Sequence, residues 1–453
     1  MPNPLSGTLP QRLQCLLGLT AFVAVAWAVG RFRTRGQVRG PFPWRLLGWG
    51  LALQFAFAVL VLRVPNLLVV VTAAIDALLG YTRAGVAVVF GNLGEMTLPV
   101  TATGAAGEKP TGFAAAGAVF AFFVLPTIIF FSALTAIAYH LGVMQIVVQA
   151  LAWVMSKTMK TSGAETLSAA ANVFVGQTEA PLMVKPFVAA LTKSELMCVM
   201  VAGFANIASG VLGLYTFWLK DYIDQAGGHL AAACLVSAPA ALLVSKLMVP
   251  ETETPVTAGG IEFRVERLDA NLVDAATRGT TEGLGLALNV AAMLIAFTAL
   301  VALVNGLLGW TGQVLHLTAA GQPPLSLQAI LGYLLAPVAW LTGVSWADAR
   351  TVGSLVGVKT VLNELIAYGD MKDGFAAAAA AGDAHRYLSP RSALIGLYAL
   401  CGFANFASVG IQVGGISTLA PERRKDLSKL GLLAMFGGAL ASHMTAAVVG
   451  VLL

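Results

Sequence analysis

One seven-residue stretch occurs twice in this chain, each time in the middle of an apolar run. Gly203-Phe204-Ala205-Asn206-Ile207-Ala208-Ser209 and Gly402-Phe403-Ala404-Asn405-Phe406-Ala407-Ser408 differ at a single position. Further glycines follow each copy: Gly210 and Gly213, then Gly410, Gly414 and Gly415. Gly, Asn and Ser weaken a helix of membrane length and leave polar atoms at mid-depth. In lipid this is tolerated where the freed backbone is buried in protein or lines a cavity. Close helix packing explains the Gly, Ala and Ser of such a motif. It does not explain an intramembrane Asn at the same place twice. Paired interrupted segments in two halves of a chain point to a transporter's binding site.

The chain can afford such segments only as a membrane protein. It is 58% hydrophobic and 11% charged over 453 residues, whereas soluble domains are about a quarter charged. The net charge of +5 suits basic cytoplasmic loops, and no basic stripe with interleaved aromatics suggests nucleic acid. Cys15, Cys198, Cys234 and Cys401 all lie in apolar segments, without metal or disulfide spacing.

Apolar runs at 13–30, 44–63, 113–139, 195–219, 229–248, 283–308, 393–417 and 428–452 read as eight spans. Hydropathy leaves the runs 66–91, 142–156 and 325–343 open between spans and interfacial helices, and eight spans remain if all three lie at the interface. Two polar-studded segments, 163–190 and 347–369, read as re-entrant hairpins. Their arms of roughly 12 residues are too short to cross a core of about 30 Å at about 1.5 Å per residue. An Ala-rich loop is expected over 370–391. The chain divides into N-terminal spans and an interfacial helix (1–112), a first repeat (113–248), a cytoplasmic link with a surface helix (249–282) and a second repeat (283–453). Arg31, Arg33, Arg35 and Arg39 follow the first span, Lys185 and Lys193 precede the first Asn-bearing span, and Arg423, Arg424, Lys425 and Lys429 follow the second. The positive-inside rule then sets both termini outside and runs the two Asn-bearing spans in opposite directions, an inverted repeat.

The polar stretch from Asn172 to Leu182 carries Gln177, Thr178 and Glu179, bracketed by Gly176 and Pro181 as a tight reversal requires. Its counterpart is Asn363-Glu364. Two carboxylates, Asn172, Asn206, Asn405, Gln177 and Ser408 make a site rich in acceptors and paired donors, with no obvious central cation. A neutral, multiply hydroxylated or amide-bearing solute fits it. Unwound carbonyls near Val175 and Ile207, with Asn oxygens, are hard ligands suited to Na⁺.

The string Gly176-Gln177-Thr178-Glu179-Ala180-Pro181-Leu182, together with Asn363-Glu364, Gly402-Phe403-Ala404-Asn405-Phe406 and Pro421-Glu422-Arg423-Arg424, resembles the concentrative nucleoside transporters from about residue 43 onward. The resemblance implies an all-α polytopic inverted-repeat transporter, with eight transmembrane helices, three interfacial helices, two re-entrant hairpins and a homotrimer. It implies nucleobase contacts at Gln177, Thr178 and Glu179, with Val211 as an apolar wall. Glu364, Asn405 and Ser408 become ribose contacts, with Phe403 beside them. Asn172, the carbonyls of Val175 and Ile207, and the Asn206 side chain become the sodium site. The family usually has Ser or Thr where this chain has Asn206. The expected activity is sodium-coupled nucleoside import across a bacterial inner membrane. The alternative is proton coupling through Glu179 or Glu364. An intramembrane enzyme would need a nucleophile–base pair or a metal-ligand set, and the sequence presents neither.

Overall fold

The computed structural model describes residues 5–33, 42–64, 66–95, 97–100, 112–115, 120–123, 125–258, 269–316 and 324–453. Arg35 and Arg39, much of the Gly-rich link after residue 95 and residues 259–268 of the charged link fall outside them. The chain begins with α1 (Leu9–Arg33), α2 (Trp44–Arg63) and α3 (Leu67–Phe90). A short antiparallel ladder follows, which the all-helical expectation did not include: β1 (Thr97–Val100) against β2 (Gly112–Ala115), with Thr97 opposite Ala115. Then come α4 (Phe120–Phe123), α5 (Leu125–His140) and α6 (Val143–Met159). α6 bends away from α5 by 77°, as a helix leaving the bilayer for its surface would. α3 is long and apolar enough to cross a membrane, one of the two placements that the sequence leaves open for 66–91.

The first hairpin is α7 (Gly163–Ala171), a reversal at 172–179, a 3-10 turn at Ala180–Val184 and α8 (Lys185–Val188). Its entry is fixed by a capping box, in which Glu165 accepts from the Ser162 N–H at 2.8 Å. The first broken span is α9 (Lys193–Ala205) and α10 (Ser209–Leu219), followed by α11 (Ala226–Met248). α12 (Leu272–Val314) has 43 residues, a length of about 65 Å at about 1.5 Å per residue. It absorbs both the expected surface helix and the expected span. Gly279 and Gly283 bring it onto the backbone of α5 at Ser132, Ala133 and Ile129, the close approach that small residues permit.

The second half repeats the plan with α13 (Leu327–Leu341), then a hairpin of α14 (Trp346–Val361) and α15 (Glu364–Ala380). The turn from α13 into α14 is 115°. The returning arm is longer than the 347–369 reading allowed, and the expected Ala-rich loop is helical as far as Ala380. Alanine is the strongest helix former, so the run 376–380 extends the arm rather than ending it. α16 (Pro390–Leu400), α17 (Phe406–Leu419) and α18 (Arg424–Leu452) complete the chain. α9, α11 and α18 pack on one another at the centre, and every residue of α9 from Ser194 to Ala205 is buried. A helix apolar on all sides belongs in such a core.

The two broken spans cross at their breaks. The Phe403 N–H donates to the Asn206 carbonyl at 3.3 Å. Gly402 sits at φ +141°, and a Cβ there would strike the backbone of Phe204 and Ala205. The Ser442 hydroxyl on α18 donates to the Cys401 carbonyl at 3.0 Å, closing the break from the other side. Gly402→Ala therefore meets both a forbidden backbone region and a filled space, and should cost more than about 1 kcal/mol. Gly410→Ala, in the open middle of α17, should be neutral or stabilising by about 0.5–1 kcal/mol. Thermal unfolding of the purified protein in detergent, followed by fluorescence, separates the two. Equal midpoints would mean that the crossing does not need its glycine.

Candidate functional site

Both copies of the repeated stretch break a helix, but their Asn residues do different work. Asn206 is the C-cap of α9. Its Nδ2 donates to the Ala202 carbonyl at 3.3 Å, and its Oδ1 accepts from the Ser237 hydroxyl on α11. Asn172 has the same post at the end of α7, where Nδ2 donates to the Ser168 carbonyl at 3.0 Å. Among the described residues its Oδ1 is buried with no hydrogen-bond partner, as is the Ser168 hydroxyl one turn earlier. α7 and α9 pack together and are joined at their N-terminal ends by the Ser162 hydroxyl donating to Glu195 at 2.5 Å, so their C-termini, each the negative end of a dipole, lie at the same end of the pair. Val175 and Ile207 lie buried next to these caps. The Ile207 carbonyl faces the Cys234 thiol at 3.9 Å.

The opposite ends of helices carry the other polar residues. Asn405 is the N-cap of α17, with Oδ1 accepting from the Ser408 N–H at 2.8 Å. Asn363 caps α15 by accepting from the Ile366 N–H at 2.9 Å, which sets Glu364 at the first helical position. Asn405 Nδ2 donates to Glu364 Oε2 at 3.2 Å, and the Tyr215 hydroxyl on α10 donates to Glu364 Oε1 at 2.9 Å. The Ser408 hydroxyl accepts from Gln177 Nε2 at 3.3 Å, while Gln177 Oε1 accepts from Gln412 at 3.1 Å. Gln412 also donates to the Met200 carbonyl at 3.1 Å. A continuous polar belt thus runs from α10 through the second hairpin and α17 to the first hairpin and α9. It joins both halves of the chain around the crossing. Charge-assisted bonds to Glu364 are its strongest links.

Of the residues singled out in the sequence, Gln177, Glu364, Asn405 and Ser408 are members of this belt. Val211 is buried one turn before Tyr215 on the same face of α10. Thr178 is half-buried against Gly415 of α17, and Phe403 is half-buried in the break. Glu179 stands apart: its carboxylate folds back onto the Gly176 N–H of its own tip. Lys359 is a fully buried cation that the sequence reading did not place at the site, and its ammonium is engaged by the Ala399 carbonyl at 3.0 Å. Tyr215, Ser237 and Gln412 were missed. Gln412 carried a usable signal, an amide one turn beyond Ser408 inside an apolar span. Tyr215 carried none, since an aromatic in a span is ordinary.

This arrangement stands beside three matches to known families. Residues 17–93 and 229–450 match the N- and C-terminal parts described as Na⁺ dependent nucleoside transporter, and residues 121–220 match one described as nucleoside recognition. The chain belongs to the concentrative nucleoside transporter family. Its family and structural relatives are transporters, not enzymes. The uncharacterized transporter YutK of Bacillus subtilis is 38% identical over 440 residues, covering 96% of this chain and 98% of YutK. Solute carrier family 28 member 3 of Rattus norvegicus is 38% identical over 451 residues, 98% of this chain but 59% of the relative; the chain thus spans about three fifths of that mammalian protein. CNTnw in an inward-facing substrate-bound state is 37% identical with a TM-score of 0.82, covering 97% of each chain. A doubly substituted CNTnw in an outward-facing state is 37% identical with a TM-score of 0.84, covering 98% of each. The all-α, eight-span inverted-repeat fold with two re-entrant hairpins is that of this transporter family. Among the described residues, α1, α2, α3, α9–α10, α11, α12 and α18 are long and apolar enough to cross a membrane, and α5 with α6 and α13 with α14 form the bent pairs.

Asn405 is the hinge of the belt, because one side chain both caps α17 and holds Glu364. Asn405→Ala loses both contacts and should destabilise the protein by about 1–2 kcal/mol, with Asn405→Ser keeping the cap and recovering part of it. Thermal midpoints in detergent check this. An unchanged midpoint in the alanine variant would remove Asn405 from that role.

Proposed function

We propose that this protein is a sodium-coupled nucleoside importer of a bacterial cytoplasmic membrane, working by alternating access with both termini outside. The belt linking both hairpins and both broken spans carries this reading. In it the ribose hydroxyls donate to Glu364, whose oxygens keep lone pairs beyond those used by Tyr215 and Asn405, and pair with Asn405 and Ser408. The base lies toward Gln177 and Thr178 of the first hairpin, with Glu179 at the same tip, Val211 as apolar wall and Phe403 alongside. A bound nucleoside then draws the two hairpins together, which suits a carrier that opens to one side at a time.

The sodium ion is a second substrate, held by Asn172, Asn206 and the carbonyls of Val175 and Ile207. The unpartnered Asn172 oxygen supports this assignment, since a buried acceptor without a donor is costly unless a cation or a water meets it. The negative ends of α7 and α9 add to the attraction. Proton coupling is the second reading. It is favoured by Glu364, a carboxylate buried between the neutral donors Tyr215 and Asn405. A homotrimer fits the exposed apolar face of α12, which carries Leu288, Ile295 and Leu303.

Counterflow of labelled uridine, cytidine and adenosine in proteoliposomes, under a sodium gradient or a pH gradient, tests the reading. Saturable uptake driven by sodium is expected. A charge-assisted bond contributes roughly 1.5–3 kcal/mol, so Glu364→Gln should weaken nucleoside affinity about tenfold or more. Normal transport by Glu364→Gln would overturn the ribose assignment. Uptake driven only by a pH gradient would replace sodium with a proton.

A further inference from the structure

Gln412 is fully buried on α17, one turn beyond Ser408. Its Nε2 donates to two acceptors, the Met200 carbonyl and Gln177 Oε1, each at 3.1 Å. A side-chain amide presents a donor at one end and an acceptor at the other, and the surrounding network decides which way it points. Here one member of the network has no freedom. A backbone carbonyl only accepts, so the group facing Met200 must be the NH₂ of Gln412. The same NH₂ faces Gln177, and its second hydrogen requires an acceptor there. The oxygen of Gln177 is therefore on the Gln412 side, and the NH₂ of Gln177 is on the other, toward Ser408. One hydrogen of that NH₂ meets the Ser408 hydroxyl at 3.3 Å, leaving the second for another acceptor.

The space for this relay comes from the repeated stretch itself. A Cβ at Gly203 would collide with Gln412 Nε2 and crowd Gln177 Cβ at 3.0 Å. Gly203 lies inside α9, three residues before the break. It needs no special backbone conformation, so its lack of a side chain serves the two glutamines.

We propose that Gln412 is a positioning residue that locks the Gln177 amide with its NH₂ toward the nucleobase. The site then selects, at that point of the base, a hydrogen-bond acceptor such as a ring nitrogen or carbonyl oxygen. Gln412 acts through Gln177 and does not touch the substrate. The proposal rests on the nucleoside reading given above.

A double-mutant cycle read by equilibrium nucleoside binding tests it, with uridine, cytidine and adenosine as probes on the full-length protein. Gln412→Met keeps the volume and removes the donors. Freed from its anchor, Gln177 should bind less well, by about three- to tenfold. Gln177→Met should weaken binding by about tenfold, and the double variant should bind no more weakly than Gln177→Met alone. Gln412→Met combined with Val211→Ala should instead multiply the separate effects, because Val211 makes no bond to either glutamine. Gln412→Leu, which likewise removes the donors without adding a charge, serves the same cycle if methionine prevents folding. Multiplicative losses for Gln412 with Gln177 would overturn the positioning role. A parent protein that binds none of the three nucleosides would overturn the underlying reading instead.

Discussion

The structure depends on two interrupted helices passing close enough for the backbone of one break to bond the backbone of the other. Phe403 N–H and the Asn206 carbonyl make that bond, and only a glycine at 402 lets the strands of the crossing approach. Unpaired backbone is prohibitive in lipid. The second break therefore answers a carbonyl freed by the first, while α18 covers both through Ser442 and Gly438. Because the breaks are solved jointly, the helix ends they create are fixed relative to one another. Those ends carry the candidate site.

The ends sort by polarity. α7 and α9 bring their C-termini together with asparagine caps and a spare buried oxygen. α15 and α17 bring N-termini with Asn363, Glu364, Asn405 and Ser408. A cation is favoured at the first pair and hydroxyls or acceptors at the second. The Gln177 tip and α7 belong to one hairpin, so a ligand at either place orders the same segment. A shared ordered element is the physical basis for two ligands helping one another.

Much of this was legible in the sequence. The repeated Gly-Phe-Ala-Asn stretch located both breaks, and the polar tips located both hairpins. Sequence alone did not reveal that the same motif is used from opposite ends. Asn206 ends a helix and Asn405 begins one, a distinction that depends on which flank continues as helix. The length of the second hairpin was misjudged because a run of alanines in a polar neighbourhood reads equally as loop or helix, and propensity favoured helix. The partners Tyr215 and Ser237 were invisible because each is ordinary in an apolar span. Their roles come from neighbours 149 and 31 residues away.

The proposed function requires the crossing to hold an ion and a nucleoside in one ordered unit. Equilibrium nucleoside binding in detergent, titrated against sodium at constant ionic strength, tests it most directly. Coupling of about 1–3 kcal/mol predicts an affinity that rises several-fold or more with sodium. Asn172→Ala or Asn206→Ala should move that rise to higher sodium while sparing the affinity at saturation, and Asn206→Ser should retain it. An affinity indifferent to sodium in the parent protein and in all three variants would contradict the account.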